Sequence, residues 1–165
     1  MNLILLLGIC GGFASIGIAI YAYHRERKRF FESLLAFCNH LSVEIAFSKN
    51  PITQVIDRYG HIYSRPFQRV LADYKHLLDT KSDITHATLT PIMWTRLKPE
   101  EQSLLADFFA SLGRHGASEE LRKLANATET FQPLLNIANA RLKKEAVIYL
   151  KLSIIVGIAS IILLI

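Results

Sequence analysis

The sequence predicts an all-α protein, a compact helical bundle held between two transmembrane helices. Three observations carry this. Uncharged, mostly apolar runs stand near both ends, at residues 3–23 and 152–165. Between them, apolar residues recur at steps of three and four, the spacing of one helix face. No segment alternates with the period of two that a strand requires over a useful length.

The first run is 21 residues long, and as a helix it spans about 31 Å at roughly 1.5 Å per residue, close to the hydrocarbon thickness of a bilayer. A cleaved signal peptide would place positive charge before its apolar core and small residues around a cleavage site after it. Here only Met1 and Asn2 precede the run, and His24-Arg25-Glu26-Arg27-Lys28-Arg29 follows it. That order reads as an uncleaved anchor. Basic residues favour the cytoplasmic side, so the amino terminus is expected outside and the following chain inside. The closing run extends back to Ala146, with Tyr149 and Lys151 about a turn inside the boundary and Arg141, Lys143 and Lys144 just before it. A lysine there can lay its stem along the helix and keep its ammonium at the interface. The alternative is a helix buried in a soluble core. A run ending in Ile161-Ile162-Leu163-Leu164-Ile165, with no polar face, argues against that. The expected organisation is a span at 1–23, a cytoplasmic helical domain at 24–145 and a second span at 146–165, with both termini outside.

The net charge of +5 has a location. The flanks 24–29 and 141–151 hold eight of the 19 basic residues and two of the 14 acids, leaving 11 against 12 elsewhere, a net of −1. The positive balance therefore faces a lipid bilayer, and the body carries no field for nucleic acid. Cys10 falls in the first span and Cys38 on an apolar helix face, so both read as packing residues rather than a disulfide.

Gly8 and Gly12 form a G-x-x-x-G step in the first span, a spacing that lets a second helix approach closely; the second span, with Gly157 and Ala159, is the nearest candidate. From Arg25 to Ser48 nothing breaks a helix, and Phe30, Phe31, Leu34, Leu35, Cys38, Leu41 and Ile45 form its apolar stripe, continuous with the first span. Lys49-Asn50-Pro51 stops it. Asn50 is placed to cap a new helix that begins at Pro51 and ends at Gly60. Ser64-Arg65-Pro66 opens the next, which runs to about Asp79. A short helix is expected around 91–96, carrying Trp94 inward. Pro99-Glu100-Glu101 starts a helix with acids near its positive end, and Gly113 ends it. Ser118-Glu119-Glu120 caps the last helix, where Pro133 removes one backbone donor and predicts a kink near Glu129.

No active site assembles. The six histidines show no H-x-x-x-H or H-E-x-x-H step, neither cysteine lies near one, and no P-loop or dinucleotide glycine pattern occurs. The pairs Glu100-Glu101 and Glu119-Glu120 each follow a helix-opening residue and read as helix-start charge. The expectation is a protein that is not an enzyme, with no cofactor, no metal and no small-molecule substrate. Two places stand out beyond packing. Leu41-x-x-Glu44-Ile45, followed by Pro51-Ile52, sets one acid on an apolar helix before a sharp turn, and Leu112-Gly113-Arg114 sets an arginine at a tight corner. The plain readings are an exposed helix charge for Glu44 and a ligand for nearby carbonyls for Arg114.

On these residues the chain resembles the stage III sporulation protein AB family over its whole length. The features that carry the resemblance are the glycine-containing first span leading into basic residues and the Leu41-x-x-Glu44-Ile45…Pro51-Ile52 pattern. The Phe108…Leu112-Gly113-Arg114 corner and an apolar tail preceded by Tyr149-x-Lys151 complete it. Pro133 departs from a helix the family keeps long and strongly charged, and the stretch around Pro91 and Trp94 matches loosely. The resemblance implies a cytoplasmic domain similar to the F domain of type II secretion and type IV pilus platform proteins. It implies a place in the mother-cell half of the channel-like complex joining mother cell and forespore. The implied partners are a cytoplasmic secretion-type ATPase and other membrane components of that complex. Glu44 and Arg114 are the charged members of the two motifs and the expected partner-binding residues; the competing reading has them pair with each other or with backbone groups and serve the fold. A platform-like inner-membrane component of a type II secretion or type IV pilus system is the alternative function.

Overall fold

A computed structural model describes the backbone of residues 2–48, 50–80 and 84–164, and the side chains of 12, 15–48, 50–80 and 84–159. Every regular element among the described residues is helical. In chain order they are α1 (Asn2–Phe47), α2 (Ile52–Tyr59), α3 (Arg65–Asp79), α4 (His86–Leu89), α5 (Pro99–Ser111), α6 (Ala117–Arg141) and α7 (Val147–Leu164), with single 3-10 turns at Gly60–Ile62 and Thr90–Ile92 and a π turn at Leu142–Ala146. The chain divides into two compact units: Arg29–Leu134, and Met1–Lys28 together with Leu135–Ile165. The sequence had placed the helical domain at 24–145.

The unit Arg29–Leu134 is built on an aromatic core. Phe30, Phe31, Leu34, Phe37, Cys38 and Leu41 of α1 are buried, and their spacing of three and four puts them on one helix face. Phe67, Val70, Leu71 and Tyr74 of α3 and Leu105, Ala106 and Phe109 of α5 are buried as well. The rings interlock: Phe67 meets Phe30 edge-on at 5.3 Å and Phe37 at 5.9 Å, and Phe109 lies 4.8 Å from Tyr74. Each buried side chain of this size contributes roughly 1.5–3 kcal/mol, so the core, not helix propensity, holds these elements. The Tyr74 hydroxyl donates to the Phe109 carbonyl at 3.1 Å, which satisfies the one polar atom this ring brings inside, and burial holds its phenol above the usual range. Burial likewise pushes the Cys38 thiol up to about 12.

Two local expectations are corrected. α2 begins at Ile52 with Pro51 as its cap residue, and Asn50 does not cap it, because its amide donates to Glu44 Oε2 at 2.8 Å. α2 ends at Tyr59 with Gly60 as its cap residue, as expected, and Gly60, in a right-handed conformation, leads into a 3-10 turn. The helical turns near Trp94 come earlier, at 86–92, started by a reciprocal Thr85–Thr88 capping box. Met93 is then the buried residue, and Trp94, half-buried, stacks on Phe30 at 5.1 Å. On α5, Leu104 is exposed while Leu105 and Phe109 turn inward. α6 runs on through Pro133.

In the other unit, α1 and α7 approach at Gly17. A β-carbon built there would sit 2.1 Å from Ser153 Oγ and 3.4 Å from the Leu150 α-carbon, so this glycine is a condition of the contact. Gly17 and Gly157 are buried, while Ile16, Ile18, Ile148, Leu152, Ile155 and Ile158 are each about half exposed or more. Small residues face in and branched aliphatic ones face out, the reverse of a water-soluble hairpin. Among the described residues α1 is the one helix that passes as long and apolar enough to cross a membrane, by length and composition. At its basic end His24 titrates below its ordinary value, because burial and the nearby Arg141 and Arg27 outweigh Glu145.

Candidate functional site

Glu44 lies in the last turns of α1 and faces inward. Its carboxylate accepts from Asn50 Nδ2 at 2.8 Å, from Arg58 Nη1 at 2.6 Å and from the Tyr59 hydroxyl at 3.1 Å. The residue is only 4% exposed. The Asn50 hydrogen bond lowers its pKa most, helped by Tyr59, Ser48 and the Arg58 charge against the desolvation cost. Glu44 thus ties the end of α1 to both ends of the 50–59 segment. Tyr59 also stacks on His40 at 4.4 Å, and His40 Nδ1 is 2.8 Å from the Tyr63 hydroxyl.

Leu112-Gly113-Arg114 forms the α5–α6 corner. Gly113 has φ = 76°, a left-handed conformation that glycine adopts without steric cost. Its backbone comes close to the first turn of α2: an added β-carbon would lie 3.2 Å from Ile52 Cδ1. Arg114 is exposed, and its guanidinium donates to the Ile84 carbonyl. Glu44 and Arg114 therefore have separate partners.

The two segments meet at one surface. An open groove of about 820 Å³ is lined by Ile45, Asn50, Pro51 and Ile52 on one side and by Leu112, Gly113 and Arg114 on the other. Leu78, Ile84 and Ala110 add apolar wall, and Glu120 closes the end formed by the first turn of α6. Arg114 stands on this groove; Glu44 lies behind it, fixing Asn50. Of the glycines singled out in the first span, Gly12 has nothing within 4 Å of a built β-carbon, and the side-chain position of Gly8 lies outside the described residues.

Glu120 is the residue that sequence reasoning passed over. Its Oε1 accepts from the His115 backbone at 3.2 Å, the helix-start role its position suggested. Its Oε2 is buried with no hydrogen-bond partner, and the residue is 4% exposed. Nothing in an acid pair at a helix start distinguishes this from Glu119, since the groove that surrounds it is assembled from five other segments.

The described residues thus give a helical protein with one candidate membrane helix and an open, largely aliphatic groove on its helical unit. The chain belongs to the stage III sporulation protein AB family, whose model matches residues 2–165. No curated protein and no solved structure matches it.

Proposed function

We propose that this protein is a non-enzymatic membrane adaptor of the sporulation channel complex between mother cell and forespore. It holds a cytoplasmic secretion-type ATPase, and through it other membrane components, at the mother-cell membrane. One observation carries this reading: two of the segments that carry the family resemblance, far apart in sequence, line a single groove that the core leaves open. A concave surface with apolar walls and a few placed polar groups is what a partner's anchoring side chains need. The outward aliphatic faces of α1 and α7 support two spans, and the basic residues beside them support a cytoplasmic domain with both termini outside. The F-domain likeness that the family implies fits a scaffold that positions an ATPase.

The test uses the full chain in lipid nanodiscs and a purified secretion-type ATPase from the same cells. Capture is expected at micromolar affinity or better, and Ile52→Arg, which fills the groove with a charge, is expected to weaken it by about tenfold or more. Arg114→Glu should weaken it as well. No capture, or capture that both variants leave unchanged, would count against the adaptor role or this surface.

A further inference from the structure

We propose that the groove receives an aliphatic side chain of its protein partner together with an adjacent lysine or arginine, whose cation is matched to Glu120. This rests on the adaptor reading and adds the chemistry of the docking segment. The walls formed by Ile45, Ile52, Ile84 and Leu112 call for an apolar anchor. Glu120 calls for a cation. One of its oxygens is hydrogen-bonded to the His115 backbone, and the other is buried beside the groove without a partner. The cations near it are engaged elsewhere: Arg114 donates to the Ile84 carbonyl, and Lys123 Nζ lies 2.7 Å from His115 Nδ1. His115 itself is 3.7 Å from Glu120 Oε1 through Nδ1 and 3.8 Å from Glu119 Oε1 through Nε2. A buried carboxylate oxygen without a donor is costly, and a charge-assisted hydrogen bond is roughly twice as strong as a neutral one. A partner segment that supplies only apolar surface would leave that oxygen unmatched, and an acidic one would meet it with repulsion.

The experiment follows the methyl resonances of Ile52 and Ile84 in the full chain in nanodiscs during titration with capped leucyl-lysine, leucyl-glutamine and leucyl-glutamate amides. The lysine peptide is expected to bind about tenfold more tightly than the glutamine peptide, and the glutamate peptide weakest. Glu120→Gln keeps an acceptor for the His115 amide, and is expected to bring the lysine peptide's affinity down to that of the glutamine peptide, erasing the preference. Glu119→Gln should keep the preference. Equal affinities, no methyl shifts with any peptide, a preference that survives Glu120→Gln, or one lost equally in Glu119→Gln would each overturn the proposal. Capture of the ATPase in the absence of a lysine preference sinks this inference and leaves the adaptor reading standing. A lysine preference without capture does the reverse.

Discussion

At the residue scale, two charged side chains that look alike in sequence do different work. Glu44 is enclosed by Asn50, Arg58 and Tyr59, whereas Arg114 is exposed. Glu44→Ala is therefore expected to lower the melting temperature clearly, because it strands three donors, and Arg114→Ala to leave it nearly unchanged. Thermal unfolding of the two variants in the same nanodiscs checks this. The sign of the pH effect follows from the depressed carboxyl of Glu44. Its folded pKa lies below the ordinary value of 4.5, so its share of stability is complete above that value and is lost as pH falls through the folded one. The stability difference between the native chain and Glu44→Gln should shrink as pH is lowered from neutrality to about 3. A difference that is constant or grows on acidification would contradict the assigned hydrogen bonds. Both residues stand out in the sequence, because each is the lone charge in an apolar motif. Which of them faces inward was not legible there, since that depends on where Arg58 and Tyr59 arrive after an intervening turn.

At the scale of elements, stripes and breaks were readable wherever apolar spacing ran for three turns or more. α3 and α5 carry continuous stripes, and their starts at Arg65 and Pro99 and the end of α3 at Asp79 follow the expected caps and prolines. The 80–97 stretch was less legible because its helix is one turn long. There a local Thr85–Thr88 hydrogen-bond exchange decides the start, and several threonines offered the same chemistry. The α5–α6 corner gives a sharp expectation. Gly113→Ala places a β-carbon at positive φ and near Ile52 Cδ1, and should cost about 1–2 kcal/mol in denaturant unfolding. Gly113→Asn should cost less, since asparagine tolerates the left-handed region better. In the unit that contains α7, Gly17→Val should separate α1 from α7. A longer distance between spin labels at the exposed positions Ile18 and Ile155 in that variant checks this, and an unchanged distance would refute the contact.

At the scale of the whole molecule, composition placed the charge correctly with respect to apolar segments but said nothing of the groove, which draws on residues from Ile45 to Glu120. Topology has a direct measurement. A cysteine at Ser118, an exposed position, is expected to resist impermeant thiol reagents in intact cells, and cysteines at Asn2 and Ile165 are expected to react; the opposite pattern would invert the arrangement. That experiment has a built-in companion in Cys38. Its sulfur is fully buried on the inner face of α1, and burial pushes its thiol up to about 12, so near neutral pH it is neither reachable nor nucleophilic while the helices stay packed. In a Cys10→Ser background, alkylation at Cys38 becomes a clock for the opening of the aromatic core, ticking only when α1 lifts away from its neighbours. A bound partner that stabilises this helical unit would slow the clock, and its rate would report occupancy of the protein in its own membrane, without any label added.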